Sequence, residues 1–270
     1  PQDSDYALHD IINEPATVGV TQTALSRGPV GIWDRQGGVD VALINGALSS
    51  ALHEAMLAGA NTLAIGDGLS DNWEILQFQH ALPLSERVFR LSGLLRGQAG
   101  TSGLMPDNWP IGSRVVLLNA VPKQIVLPSA SRGNQRHYRF GPAKQPMSDP
   151  SFRYQTQTFA GNGLRPFPVA HLRTRKSGAD VDVSWIRRSR IDGDIWTDGD
   201  VPLGEDNEAY RVRVLRSGNV VREETVSTPT WTYSGTQLAA DIGSGFYTIE
   251  VAQISARFGA GLPSEILKFL

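Results

Sequence analysis

From residue 247 to residue 254 the chain alternates between two kinds of side chain. Tyr247, Ile249, Val251 and Gln253 fall on one side of the register and Thr248, Glu250, Ala252 and Ile254 on the other, which is the period-two pattern of a strand with unlike faces. A Gly-rich corner follows, Ser255-Ala-Arg-Phe-Gly-Ala-Gly-Leu-Pro-Ser264, and then Glu265-Ile-Leu-Lys-Phe-Leu270 reads as a closing strand. Upstream, residues 169–174, 181–186, 210–215, 220–225 and 230–233 each predict a strand, with Ser217-Gly218-Asn219 as the hairpin turn between the third and the fourth. In that register Val181, Val183 and Trp185 share a face, and so do Tyr210, Val212 and Val214. Both faces are expected to meet Tyr247, Ile249 and Val251 from the opposite sheet, across a core about 10 Å thick. Trp185, Tyr210 and Tyr247 are its expected structural core.

The earlier part of the chain is also written in short strands. Long apolar stripes of helical period are missing, while Gly and Pro recur throughout. Residues 18–23, 39–44, 62–65, 73–80, 88–94, 114–119 and 136–140 predict strands. One helix is expected, over Ser49-Ser-Ala-Leu-His-Glu-Ala-Met-Leu-Ala58, with serine as its N-cap and Gly59 as its stop. The stretch Gly161-Asn-Gly-Leu-Arg-Pro-Phe-Pro168 holds two glycines and two prolines, which suits an ordered linker and not the middle of a sheet. The expectation is a mainly β protein in two domains: a β-rich domain over residues 1–165, and a fibronectin type III-like, immunoglobulin-like β-sandwich over residues 166–270.

Composition narrows the functional classes. A length of 270 residues suits two domains, and a formal net charge of −2 gives no global attraction to nucleic acid or an anionic membrane. The absence of cysteine removes disulfide frameworks, thiol catalysis and thiolate-bound metal together. No apolar run approaches the roughly 20 residues that span a bilayer. The start, Pro1-Gln-Asp-Ser-Asp5, is unlike a signal peptide, and reads as the start of a fragment or a processed product.

Candidate chemistry is sparse. Leu94-Leu-Arg-Gly-Gln-Ala-Gly-Thr101 has the glycines and the arginine of a phosphate cradle, but it lacks the Lys-Ser/Thr of a P-loop and no helical pattern follows. It is read as a structural turn, with Arg96 as an internal ion-pair or carbonyl-binding residue. The basic run Trp185-Ile-Arg-Arg-Ser-Arg190, with Arg173, Arg175 and Lys176, faces the acidic residues Asp192, Asp194, Asp198, Asp200, Glu205, Asp206 and Glu208 that follow it. Pairing between them is expected to neutralise much of the charge, so no nucleic-acid partner is expected. Asp192, Asp194, Asp198 and Asp200 form the candidate metal loop, but Leu203 stands where an EF-hand places its bidentate glutamate, and a solvated loop is favoured. Within that loop Trp196 is either a lid on the sandwich or a surface contact for a partner.

The five histidines, His9, His53, His80, His137 and His171, form no metalloprotease spacing, and no Gly-x-Ser-x-Gly elbow occurs. No catalytic residue and no cofactor site is nominated. A catalytic carboxylate pair is a matter of separation in space, and the sequence picks out none.

Several motifs, in order along the chain, carry a resemblance. Trp73-Glu-Ile-Leu-Gln-Phe78, the run from Leu91 to Thr101, and Gly112-Ser-Arg-Val-Val-Leu-Leu118 resemble the central signature of bacteriophage tail-hub and host-specificity proteins. Val183-Ser-Trp-Ile-Arg-Arg-Ser-Arg190, Val201-Pro-Leu-Gly-Glu205, Tyr210-Arg-Val-Arg-Val214 and Ile254-Ser-Ala-Arg-Phe-Gly-Ala-Gly261 extend it. Together they are similar to the C-terminal region of the large tail protein of gene transfer agents, the tailed-phage-like particles of alphaproteobacteria.

The resemblance implies a tail-hub type barrel or sandwich over residues 1–165. It implies a non-enzymatic virion component of the baseplate hub at the tail tip, the distal portion of a longer chain, positioned toward the host cell and contributing to attachment. Its partners would be other tail-tip proteins, two further copies of itself in a homotrimer, and a host cell-surface glycan or receptor. Its place would be the virion tail, assembled in the bacterial cytoplasm and acting extracellularly. The hub domains and glycosidase-like barrel of such proteins lie N-terminal to this region, and their activity does not carry over. The alternative is a carbohydrate-binding accessory module of a cell-envelope glycoside hydrolase. A third class, an enzyme acting on the envelope, needs a carboxylate pair in a cleft.

Overall fold

The computed structural model describes residues 5–68, 71–119, 121–191 and 201–270. Eight strands come first: β1 (Val18–Thr21), β2 (Leu25–Ser26), β3 (Asp34–Asn45), β4 (Thr62–Gly66), β5 (Trp73–Ser85), β6 (Val88–Gln98), β7 (Asn108–Trp109) and β8 (Arg114–Leu117). Six of them close into a barrel in the order β1-β3-β6-β5-β4-β8, with β8 pairing back to β1, while β2 and β7 pair with each other. Closure gives each of the six strands a paired neighbour on both sides over part of its length.

The alternation seen in the sequence becomes inside and outside of the barrel. Val39 and Val41 pair with Leu91 and Phe89 across β3 and β6, and they join Leu63, Ile65, Leu76, Phe78, Leu94 and Val115 in one buried cluster. Outward-facing partners in the same strands carry charge, such as Arg90 on Asp40 at 2.6 and 2.9 Å.

The helix expected over residues 49–58 is shorter and differently anchored. It is the five-residue α1 (His53–Leu57), with Leu52 at the N-cap and no side-chain cap. The serine is spent elsewhere: Ser50 Oγ accepts from Ala81 N at 3.0 Å, and Ala51 N donates to Gln79 O at 2.8 Å. β4 pairs with β5 only as far as Gln77, and beyond that point this segment takes over the β5 edge. Gln77 then ties the helix down, donating from Nε2 to Met56 O and Ala60 O at 2.8 Å each.

The expected strand at 136–140 exists as β9 (Gln135–Phe140), but it lies outside the barrel and pairs only with β10 (Arg153–Thr158). The sequence reading missed β10, because Arg-Tyr-Gln-Thr-Gln-Thr offers no apolar alternation.

The remaining strands are β11 (Ala170–Ser177), β12 (Asp180–Ile186), β13 (Tyr210–Arg216), β14 (Asn219–Val226), β15 (Thr230–Tyr233), β16 (Phe246–Ser255), β17 (Gly259–Ala260) and β18 (Ser264–Phe269). They form a sandwich of one sheet ordered β11-β12-β15 and another ordered β14-β13-β16, with β18 and the short β17 also paired to β16. Seven main strands in this arrangement give the fibronectin type III fold. Trp185, Tyr210 and Tyr247 are 5 %, 0 % and 3 % exposed.

One expected facing was inverted. Tyr210, Val212 and Val214 lie in the same sheet as Tyr247, Ile249 and Val251, with Val212 directly opposite Val251 and Val214 opposite Ile249. Val181, Val183 and Trp185 are the residues that pack from across. Alternation fixes which side chains point inward, but it does not say which strand is the hydrogen-bonded neighbour.

A second helix, α2 (Gly235–Asp241), links β15 to β16 in the sandwich. It carries a full capping box between Ser234 and Gln237. Its last residue organises a polar cluster: Asp241 Oδ2 accepts from Arg222 Nε at 2.6 Å and from the Tyr233 hydroxyl at 2.8 Å. The Arg222 hydrogen bond holds the Asp241 carboxyl below its ordinary pKa, while burial pushes the Tyr233 phenol up.

Candidate functional site

The segment from Leu91 to Leu104 runs from the barrel core to contacts with Phe167 and Leu262. Leu91 and Leu94 point into the barrel core. Arg96, between them and the turn, is fully buried and meets an equally buried Glu74 through Nε to Oε1 at 2.7 Å and Nη2 to Oε2 at 2.8 Å. Its third nitrogen, Nη1, donates to Ser26 O at 2.8 Å. Glu74 also accepts from Trp109 Nε1 at 2.7 Å and from Gly97 N at 3.2 Å. Arg96 is thus both an internal ion-pair partner and a carbonyl-binding residue. A charge pair survives burial only when its remaining donors and acceptors are also satisfied, and here β2, β5 and β7 supply one member each and β6 supplies Arg96 and Gly97.

Past Arg96 the chain turns. Thr101 Oγ1 donates to Gln98 O at 2.7 Å and accepts from Ile75 N at 2.9 Å, which seals the end of the β5–β6 ladder. Gly100 has φ +79°, and a Cβ there would collide with the ring of Phe167, in the entry to the sandwich. Only glycine serves at that point, because the backbone conformation is left-handed and the aromatic ring lies directly on it.

Arginines and aromatics cluster around the same approach. Arg188 lies 5.4 Å from the Phe167 ring centroid, and Arg190 and Arg132 lie 5.2 and 5.3 Å from that of Phe258. Arg132 Nη2 also donates to Arg257 O at 3.0 Å. Arg190 pairs with Glu205 at 3.1 Å, Arg257 approaches Asp206 at 3.6 Å, and Arg187 donates to Val201 O at 2.8 Å. Burial lowers the pKa of Arg188. The basic run is therefore partly paired with the acidic residues that follow it, and part of it packs against aromatic rings.

A cleft opens on the barrel wall. It has a volume of about 430 Å³ and is lined by Trp33, Arg35, His53, Gln79, His80, Ser92 and Gly93. Two distortions shape it. In β3 the pairing with β6 jumps from Asp34–Leu94 to Gly38–Ser92, so residues 35–37 bulge out. The buried Asp34 holds that bulge, its Oδ1 accepting from Gln36 N at 3.2 Å and Gly37 N at 2.7 Å. Opposite, Gly93 takes φ +64°, with the Gln79 side chain against it. Trp33 stacks on His53, centroids 4.9 Å apart and planes at 29°.

Asp192, Asp194, Asp198, Asp200 and Trp196 all lie outside the described residues. Among the described residues no group of three or more His, Asp or Glu is placed to hold a metal. The histidines are scattered except for His53 and His80, which the fold brings to the one cleft from positions 27 residues apart. Sequence reasoning missed that cleft, because a bulge and a short helix assemble it, and neither leaves a motif. Among the described residues no helix is long and apolar enough to cross a membrane.

A family model described as Rcc01698-like, C-terminal, matches residues 16–116, the stretch that forms the barrel. No curated protein matches the chain. Solved structures similar to it include domains d3-d4 of the rat CD45 extracellular region, at 15 % identity and TM-score 0.30, covering 57 % of this chain and 72 % of that one. The FN1-FN3 domains of chicken CNTN1 match at 12 % identity and TM-score 0.26, over 94 % and 98 % of the two chains. The chicken interferon gamma receptor alpha chain matches at 11 % identity and TM-score 0.27, over 95 % and 98 %. Those scores carry no argument on their own; the fibronectin type III assignment stands on the strand order.

Proposed function

We propose that this chain is a non-enzymatic structural component of a phage-like tail tip, the distal C-terminal portion of a baseplate hub protein. In this reading the barrel makes subunit contacts around the tail axis, and the sandwich projects toward the target cell and contributes to attachment. One observation carries it. The motif from Leu91 to Thr101, central to the resemblance to tail-hub and host-specificity proteins, is also the segment that braces the barrel through Arg96 and meets Phe167 at the entry to the sandwich.

The mechanism is mechanical. A closed barrel with a buried, hydrogen-bonded ion pair bracing one end of the β5–β6 ladder resists shear, and a glycine turn packed under an aromatic ring restricts how the following segment can swing. Antibody raised against the sandwich and applied to intact particles should label one end of the tail and block adsorption to cells. Label along the whole tail, or none on the particle, would contradict the proposal.

The half-buried Trp33 in a polar cleft favours a second reading, a carbohydrate-binding accessory module of a cell-envelope glycoside hydrolase. That module would bind polysaccharide as an isolated monomer and would be absent from particles.

A further inference from the structure

We infer that the cleft between Trp33 and Ser92 is a binding site for an acidic saccharide, a sugar ring carrying a carboxylate. The inference deepens the attachment reading and rests on it for its biological use, but its chemistry comes from the cleft alone.

Trp33 and His53, stacked at 4.9 Å with planes at 29°, each cover one face of the other, and an outer face of the pair is the aromatic platform at the edge of the cleft. Such a platform suits the C–H face of a sugar ring, since an aromatic body offers apolar contact area while its surroundings remain wet. Around it stand a hydroxyl from Ser92, an amide from Gln79 and the imidazoles of His53 and His80, donors and acceptors suited to ring hydroxyls. Arg35, exposed on the β3 bulge, adds a planar fork of donors that matches a carboxylate in two-pronged fashion.

The polar groups of this cleft are unspent. Among the described residues, no hydrogen bond or ion pair joins the side chain of Arg35, His53, Gln79, His80 or Ser92 to another protein group. Three strand arginines whose side chains are paired show the contrast: Arg90 with Asp40, Arg213 with Glu223, Arg222 with Glu224 and Asp241. No carboxylate lines the cleft to compete for Arg35. Its volume falls within the roughly 300–1,000 Å³ of small-ligand sites. One arginine beside one aromatic platform suits a single carboxylate on a sugar better than a polyphosphate backbone, which recruits several cations.

Calorimetric titration of the whole chain with a galacturonate hexasaccharide, beside a neutral glucose hexasaccharide, tests the inference. The acidic sugar should bind about tenfold more tightly than the neutral one, the worth of one charge-assisted contact. Arg35→Gln should remove that preference, bringing the acidic sugar down to the affinity of the neutral one. Trp33→Ala should weaken both by about tenfold or more, with its melting temperature recorded because Trp33 is half-buried. Arg35 is exposed and its replacement leaves the core untouched, so that variant decides the matter even if Trp33→Ala unfolds. Equal affinity for the two sugars, no binding of either, or an Arg35→Gln variant indistinguishable from the parent would overturn the inference. A preference for the acidic sugar that Arg35→Gln removes, together with normal adsorption of particles carrying that variant, would uphold the site and contradict its use in attachment.

Discussion

Arg96 and Glu74 face each other as a two-pronged ion pair in the barrel interior, at 2.7 and 2.8 Å, and neither side chain reaches solvent. Replacing Arg96 with methionine would leave a carboxylate buried with only Trp109 Nε1 and Gly97 N to satisfy it. That should cost about 3–5 kcal/mol, because the uncompensated charge is what is expensive. Changing Glu74 to leucine as well should recover part of the loss, although Trp109 then lacks its acceptor. Urea denaturation of the two single variants and the double variant measures the coupling. A single-variant loss below about 1 kcal/mol would show that water reaches the pair.

Gly100 and Phe167 offer a test of the connection between barrel and sandwich. Gly100→Ala should destabilise by about 1–3 kcal/mol, from the left-handed backbone together with the collision of the new methyl with the ring. Phe167→Ala in the same chain should relieve the collision and leave the backbone penalty. If melting temperatures show the same cost of Gly100→Ala with and without the ring, Phe167 does not rest on Gly100.

Trp185 lies with its ring 5.2 Å from Tyr210 at 72°, an edge-to-face pair bridging the two sheets of the sandwich. Trp185→Ala should cost about 3–5 kcal/mol, the usual loss for a buried large aromatic. Expressed alone, residues 166–270 should unfold in one cooperative β-type transition, and this substitution should lower its midpoint. A helical or disordered spectrum from that segment would remove its claim to independence.

Glu250 sits directly opposite Glu265 between β16 and β18. Its pKa is raised, first by burial and then by the Glu265 charge, with Arg213 and Arg211 opposing. A raised carboxylate pKa in the folded state means that stability falls as pH climbs from the ordinary glutamate range through the raised value. Glu250→Gln should therefore stabilise the protein at pH 7 by a few tenths of a kcal/mol, since the pair is partly solvated. That advantage should vanish below pH about 4, where the parent residue is protonated in both states. Thermal melts of the two proteins at both pH values check it; equal melting temperatures at pH 7 would mean that neither burial nor the Glu265 charge costs the folded state at Glu250.

Much of the fold was legible, and the limits are physical. Strong alternation, as in Tyr247 to Val251 or Val39 to Leu43, exposed strands directly, because a face buried in a core must repeat every second residue. Pairing was less legible: β13 and β16 share a sheet, and nothing in their alternation distinguishes a neighbour within a sheet from a partner across the core. The polar β10 gave no signal. Helix α2 did, since Ser234 and Gln237 spell a capping box three residues apart, and it went unread. Arg96 could be assigned as internal from its apolar surroundings in sequence. The cleft could not, because Trp33, His53, His80 and Ser92 come from four separate segments, brought together by a bulge and a five-residue helix.

The central claim is placement at the tip of a phage-like tail, and a reconstruction of the intact particle tests it most directly. The account predicts three copies of this chain around the tail axis at its distal end, with the barrel at the subunit contacts and the sandwich pointing outward. A single copy, a position off the axis, or density at the tail tip that fits neither barrel nor sandwich would contradict it.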